Sequence, residues 1–179
     1  METYLALLRG INVGGKNKLP MQDLRNLFAA AGCEDVRTYI QSGNVIFRAT
    51  PSVSQGLPVQ ITSQIAERFG YRTPVLLRTA EQLRDVIVNN PFLQTGAPEE
   101  TLHVVFLADL PSPRRVDDLD PRRSPPDAFV VRGQEIYLHL PRGMATTKLT
   151  NDYFDSKLAT TSTARNWRTV TTLLGLADG

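Results

Sequence analysis

Apolar and polar positions over residues 1–79 follow two periods, one typical of strands and one typical of helices. Short apolar or β-rich runs predict strands over 3–8, 36–40, 44–48 and 73–78. Apolar residues recur at helical spacing in a segment that begins near Pro20 and is closed by Gly32, and again over about 59–69, whereas 50–58 has the composition of a loop. The resulting order, β-α-β-β-α-β, is that of the ferredoxin-like split βαβ fold.

The second half repeats much of this order without repeating the sequence. It predicts a helix over 80–90, a strand over 101–107, a Pro-, Arg- and Asp-rich loop over 111–126 with one short helical turn, a hairpin over 128–140, and helices over about 147–158 and 163–176. We therefore predict an α+β protein, in which a ferredoxin-like βαββαβ first half is followed by a second, related α/β unit with two C-terminal helices. The predicted domains are 1–79 and 80–179.

The composition is that of an ordinary globular protein, with 41% hydrophobic and 21% charged residues. No apolar run approaches the length of a membrane span, and the first residues do not resemble a secretory signal. Cys33 is the single cysteine, so an internal disulfide is excluded, and its position after Gly32 suits a small buried filler. These features favour a cytoplasmic protein that does not contact a membrane.

Charge is distributed unevenly along the chain. The net charge is only +2, which is too small to indicate a dedicated nucleic-acid-binding protein. Residues 1–79 nevertheless carry nine Lys and Arg against five Asp and Glu, whereas residues 80–179 carry eleven against thirteen. An exposed aromatic pair of the kind that stacks RNA bases on a sheet is not evident. The excess of basic residues over 1–79 favours an anion-binding site in the first half of the chain.

The stretch GINVGGKN, residues 10–17, matches the phosphate-binding P-loop pattern at every fixed position except the last. Asn17 stands where the pattern needs a hydroxyl, and Pro20 would lie inside a helix that began near Gly15. The hairpin predicted between 36 and 48 also disagrees with the parallel sheet of P-loop proteins. A true P-loop is thus disfavoured, and two interpretations stay open: a glycine-rich loop that exposes amides to an anion, or a tight turn with solvated lysines.

Topology brings a second polar loop to the same edge of the predicted sheet. In a split βαβ unit the first two strands are parallel, so the segments 9–19 and 41–44 follow neighbouring strand ends, where ligands commonly bind. Hairpin-turn chemistry alone also explains 41–44. The candidate ligand-binding residues here are Arg9, Asn12, Gly14, Gly15, Lys16, Asn17, Gln41, Ser42 and Asn44.

Further candidates lie in the second half. Arg142 and Lys148 belong to a Gly-bearing basic loop, and Arg165 and Asn166 lie near the start of the predicted last helix. The side chains of each pair can bind an anion, or they can be solvated or packed against the rest of the protein. No catalytic motif or metal-ligand spacing is present, and His103 and His139 lie in predicted strands without a spaced partner.

Several runs together resemble a known family. LLRGINVGGKNKLPM, TYIQSGNVIF, NNPF, LPRGM followed by TKL, and TARNWRTV occur in the order and spacing of the bacterial family called domain of unknown function 1697. The resemblance spans nearly the whole chain and implies two related α/β parts. It implies no activity, substrate or catalytic residue.

The leading hypothesis is a cytoplasmic protein that binds an anionic ligand, a phosphate-bearing metabolite, nucleotide or nucleic acid, through the loop 9–17. The alternatives are an enzyme that acts on a phosphorylated small molecule, and a protein–protein adaptor without a small ligand. We expect no cofactor and no metal. The catalytic residues, protein partners and oligomeric state are left open by the sequence.

Overall fold

The computed structural model describes all residues from Met1 to Gly179. The chain divides into two units, each with a sheet of its own. Unit 1 comprises Met1–Leu83 and Leu173–Gly179, and unit 2 comprises Arg84–Thr172. The predicted domains, 1–79 and 80–179, stay a prediction.

Unit 1 contains a four-stranded antiparallel sheet with the strand order β2-β3-β1-β4. Its elements are β1 (Glu2–Leu8), α1 (Met21–Ala30), β2 (Glu34–Tyr39), β3 (Asn44–Ala49), α2 (Pro51–Phe69) and β4 (Val75–Thr79). The next helix, α3 (Ala80–Val88), begins in unit 1 and ends in unit 2. β3 lies between β1 and β2 and is antiparallel to both, so β1 and β2 run parallel. This is the predicted ferredoxin-like order.

Unit 2 repeats the same arrangement in a second antiparallel sheet, with the order β6-β7-β5-β8. A short 3-10 helix (Glu99–Thr101) precedes β5 (Leu102–Leu107), α4 (Pro113–Asp117), β6 (Ala128–Arg132), β7 (Glu135–His139), α5 (Asn151–Leu158), β8 (Ser162–Asn166) and α6 (Trp167–Asp178). The residues of α6 from Leu173 onward belong to unit 1. The mixed α/β fold with two related halves is confirmed.

The core of unit 1 lies between its sheet and the helices α1 and α2. Alternate residues of β1 and β3 face these helices, as the period-2 geometry of a strand requires. The buried side chains of this layer include Tyr4, Ala6, Leu8, Val45, Phe47, Leu24, Phe28, Leu57 and Ile61. Leu5 and Leu7, on the opposite face of β1, are each 1% exposed. Burial of both faces explains why β1 is a continuous apolar run rather than an alternating one.

Three predicted elements need correction. The segment 50–58 is not a loop, because α2 begins at Pro51, where Thr50 Oγ1 accepts a hydrogen bond from the Val53 N–H. Pro58 lies inside this helix, and burial of Leu57 and Ile61 on its core face offsets the backbone bond that a proline cannot donate.

The last predicted helix, 163–176, was wrong over its first residues. Residues 162–166 form β8, which pairs with β5, and α6 begins only at Trp167. Similarly, the helix predicted over 147–158 begins at Asn151, with Thr150 as its N-cap. Tertiary strand pairing decided the conformation of 162–166, which local helical periodicity did not reveal.

No helix of the structure combines the length and the hydropathy that a membrane-spanning helix needs.

Candidate functional site

Residues 12–17 of the connection between β1 and α1 form a miniature hairpin rather than a phosphate cradle. Gly14 and Gly15 have φ values of +58° and +73°, the pair of left-handed conformations that a two-residue type I′ turn requires. The Lys16 N–H donates to the Val13 carbonyl oxygen, and the Asn12 N–H donates to the Asn17 carbonyl oxygen, both at 3.0 Å. Two backbone amides are therefore used inside the hairpin. The match to the P-loop pattern reflects turn chemistry.

The helix that follows begins as the sequence predicted. Met21 is the first residue of α1 and Pro20 is its N-cap residue, so Lys16 lies in the connection and not in the helix. No side chain caps the first turn of α1. The N–H groups at a helix N-terminus favour negative charge, which makes this end of α1 the electropositive side of the connection.

Asn12 holds the hairpin in place from within unit 1. Its side-chain amide donates to the carbonyl oxygens of Leu19 (2.9 Å) and Gln41 (2.8 Å), and its Oδ1 accepts from the Leu19 N–H (2.8 Å). Asn17 similarly donates from Nδ2 to the Gly10 carbonyl oxygen at 3.0 Å. Both asparagines adopt left-handed φ values, +54° and +51°. These two side chains shape the connection, and their predicted contact with a ligand stays a prediction.

The turn between β2 and β3 lies against the end of β1. The Leu8 N–H donates to the Gly43 carbonyl oxygen at 2.8 Å. Asn44 is fully buried, and its Nδ2 donates to Tyr39 O at 3.2 Å and to Ser42 Oγ at 3.0 Å. The structure thus brings together the two loops that the topology argument places at one sheet edge. Asn44 and Ser42 take part in forming the turn.

An open cleft of about 490 Å³ lies where these loops meet α1. Its lining residues are Asn12, Gly15, Lys18, Leu19, Pro20, Met21 and Gln41. Three of the seven are among the predicted site residues, and none is acidic. Arg9, Gly14, Lys16, Asn17, Ser42 and Asn44 are not among the lining residues.

Lys18 is the cationic residue that lines the cleft, although the predicted site contained Lys16 instead. The Gly14-Gly15 pair is the feature of the sequence that distinguishes the two lysines. A two-residue hairpin turn pairs Lys16 with Val13 across the hairpin, and Lys18 then follows on the segment that returns to α1.

The equivalent edge of unit 2 is built differently. The Leu107 N–H donates to the Gln134 carbonyl oxygen at 2.8 Å, which matches the Leu8–Gly43 bond of unit 1. The connection from β5 to α4 nevertheless spans only residues 108–112, whereas that from β1 to α1 spans residues 9–20. Ser112 caps α4 by accepting from the Arg115 N–H, and this shorter connection contains no lysine or arginine. The Gly- and Lys-bearing hairpin is therefore specific to unit 1.

The remaining predicted residues lie in unit 2. Arg142 and Lys148 belong to the connection between β7 and α5, and both residues are exposed. Arg165 is 9% exposed in β8, where its Nη1 donates to Thr163 Oγ1 and to Ala164 O, both at 2.8 Å. Burial lowers the pKa of the Arg165 guanidinium to about 10. Asn166 Oδ1 accepts from the Thr169 N–H at 2.8 Å and caps α6.

A second cleft in unit 1, of about 540 Å³, has arginines that already have partners. Arg37 Nη2 donates to the Leu176 carbonyl oxygen at 2.8 Å, and Arg48 lies 3.4 Å from Asp35 Oδ2. Carboxylates also line this cleft, Asp35 and Asp178 among them. Its charges largely offset one another, so it is less suited to an anion than the cleft at Lys18. No group of three or more His, Cys, Asp or Glu side chains in the structure is arranged to hold a metal ion.

Comparison with known proteins gives a similar structure and a matching family. No curated protein matches the sequence. The conserved bacterial protein SP0830 from Streptococcus pneumoniae has a similar structure, with a TM-score of 0.78 and 22% sequence identity over 100% of this chain and 99% of that one. At this identity the likeness concerns the fold alone. The model of the protein family of unknown function DUF1697 matches residues 1–137, and the chain therefore belongs to that family.

Proposed function

We propose that unit 1 binds a small anionic molecule in the cleft between the 12–17 hairpin, the β2–β3 turn and the start of α1. One observation carries the proposal: Lys18 lines an open cleft that contains no acidic residue. A cleft of about 490 Å³ is within the range of small-molecule sites.

Two features add to the attraction for an anion. Arg9 and Lys16 belong to the same connection and raise its local positive charge. The first turn of α1 has no side-chain cap, and its N–H groups belong to the segment that lines the cleft. Asp23 is the acidic residue of that first turn, and it is not among the residues that line the cleft.

The duplicated fold supplies an internal comparison. Both units form the same backbone hydrogen bond at the end of their first strand. Only unit 1 adds a hairpin and lysines at this place. Functional residues are commonly carried by loops on a rigid scaffold, so a loop elaborated in one of two like units is where ligand binding is expected.

A thermal-shift screen at low salt tests the proposal. The anions are inorganic phosphate, pyrophosphate, sugar phosphates, nucleoside monophosphates and carboxylates, with a short oligonucleotide as the polymeric arm. A ligand at about 100 times its dissociation constant adds about 2.7 kcal/mol of stability, which corresponds to a rise in Tm of about 5–10 °C for a chain of this length.

The matched variants are Lys18→Ala and Lys157→Ala, which remove one charge each. Lys157 is exposed on α5 of unit 2, and its backbone carbonyl oxygen accepts a hydrogen bond from Arg115 Nη1, which alanine retains. We expect Lys18→Ala to weaken anion binding about tenfold and Lys157→Ala to leave it unchanged. Equal affinity of the two variants for every anion that binds would contradict the proposal.

A further inference from the structure

Ile40 has a conformation that its side chain disfavours. Its φ is +50°, in the left-handed region, where a β-branched residue is a true outlier and Asn or Gly is usual. Its side chain is also 52% exposed, so burial does little to offset this cost. Residues kept in unfavourable conformations cluster at ligand sites, which makes Ile40 a candidate for a role outside folding.

The place of Ile40 in the chain connects it with the cleft. It precedes Gln41, a lining residue whose carbonyl oxygen accepts the hydrogen bond from Asn12. Val13, which is 62% exposed, lies between the lining residues Asn12 and Gly15 on the other loop. Each of the two loops that form the cleft therefore carries an exposed aliphatic residue beside its lining residues.

The lining of the cleft is itself divided by chemistry. Pro20 is exposed and Met21 is partly exposed, so these two supply accessible apolar surface, whereas Leu19 is only 1% exposed; Lys18 supplies the charge. An inorganic anion makes no use of apolar surface, whereas an oxyanion that carries a ring or hydrocarbon group uses both kinds. Because burial of apolar area is favourable, such a ligand gains affinity that the bare anion lacks.

We infer that the ligand of this cleft is an oxyanion attached to an apolar group. Lys18 contacts the oxyanion, Pro20 and Met21 contact the apolar group inside the cleft, and Ile40 and Val13, which neighbour the lining residues in sequence, contact the part of that group that extends beyond it. The inference rests on the proposed function and specifies the ligand class for the same site. Phosphate monoesters of aromatic or hydrocarbon alcohols are the simplest members of this class.

Calorimetric titration with two probes separates the two parts of the ligand. Inorganic phosphate and phenyl phosphate share the oxyanion and differ in the ring. We expect phenyl phosphate to bind the wild-type chain about tenfold more tightly than phosphate. The variant Ile40→Asn introduces a residue that tolerates positive φ. We expect it to lose about threefold of this preference, because Pro20 and Met21 stay in place, while its affinity for phosphate is unchanged.

The control variant is Leu110→Asn. Leu110 is 70% exposed on the connection between β5 and α4 of unit 2, which corresponds to the connection of unit 1 that carries Val13, and its replacement should leave the affinity ratio as in the wild type. A second readout concerns the backbone. Ile40→Asn should raise the Tm by about 2 °C, since asparagine relieves the unfavourable conformation.

The outcomes distinguish failure of the inferred ligand class from failure of the proposed anion binding. If both probes bind with equal affinity and Lys18→Ala weakens both, the cleft binds anions and the ligand class is wrong. If Ile40→Asn lowers the Tm and leaves the affinity ratio unchanged, Ile40 is a structural residue and the inference fails. If neither probe binds, or binding does not depend on Lys18, the proposed function itself is contradicted.

Discussion

Asn12 Nδ2 lies 2.8 Å from the carbonyl oxygen of Gln41, a residue 29 positions later in the chain. The same amide group donates to Leu19 O, and its Oδ1 accepts from the Leu19 N–H. One side chain thereby joins the 12–17 hairpin, the segment that enters α1 and the β2–β3 turn. These are the three borders of the cleft, so the cleft depends on Asn12 for its shape.

Replacing Asn12 by glycine should destabilise the protein by about 1–3 kcal/mol. Glycine accepts the φ of +54° without strain, so the loss reports the three side-chain hydrogen bonds, each of which contributes about 1 kcal/mol or less when partly exposed. Asn17→Gly is the matched control, with a φ of +51° and one side-chain hydrogen bond, to Gly10 O. Urea unfolding measures both variants. Equal losses of stability in the two variants would show that the three bonds of Asn12 contribute no more than the single bond of Asn17.

Gly43→Ala should be more costly than the same change at Gly133. A Cβ at Gly43 would lie 2.8 Å from Leu8 Cβ and 3.0 Å from Ile11 Cδ1, and the residue has a φ of +80°. Gly133 occupies the corresponding hairpin turn of unit 2 with a φ of +59°, but no atom lies within 4 Å of its Cβ position. We expect losses of about 2–4 kcal/mol for Gly43→Ala and about 1 kcal/mol for Gly133→Ala in chemical denaturation. A larger loss at Gly133 would refute the close approach of the turn to β1.

His103 makes stability depend on pH below about 6.5. Its side chain is 8% exposed and its Nδ1 has no hydrogen-bond partner, and burial lowers the pKa of the imidazole below 6.5. The unfolded chain then binds a proton more readily than the folded chain, so this contribution is fully present above pH 6.5 and is lost as the pH falls.

The test compares the wild type with His103→Gln. Between pH 7.5 and 5.5 the free energy of unfolding of the wild type should fall more steeply than that of the variant. Parallel pH profiles would mean that His103 has the same proton affinity in both states.

Cys33 should resist modification in the folded protein. It is 6% exposed, and burial raises the pKa of its thiol to about 11, so at pH 8 only about one thiol in a thousand is ionised. An Ellman titration should show slow labelling in buffer and rapid, complete labelling of one thiol in 6 M guanidinium chloride. Native labelling as fast as that of a free thiol would contradict the buried position.

Much of the fold could be predicted from local pattern. β1 was evident because a strand buried on both faces is a continuous apolar run, and α1 was evident because Pro20 and Gly32 mark its ends. β8 could not be predicted in this way. Its residues 162–166 carry a helix-compatible spacing, and only pairing with β5 makes them a strand.

The candidate site could be predicted in position and not in detail. The parallel arrangement predicted for β1 and β2 was enough to predict that residues 9–19 lie near residues 41–44. The choice between Lys16 and Lys18 depended on the turn at Gly14 and Gly15, which reverses the chain within two residues. The role of Asn12 in joining the two loops could not be predicted, because its hydrogen bond to Gln41 spans 29 positions and leaves no local pattern in the sequence.

We expect an anion to bind unit 1 at the cleft beside Lys18, and an NMR titration locates the binding site residue by residue. Backbone amide shifts of the wild-type chain are followed as phenyl phosphate is added at low salt. We expect the largest shift changes in residues 12–21 and 40–43, with little change in the equivalent residues 108–112 and 132–135 of unit 2. Largest changes in 142–148, or changes of equal size in both units, would contradict it.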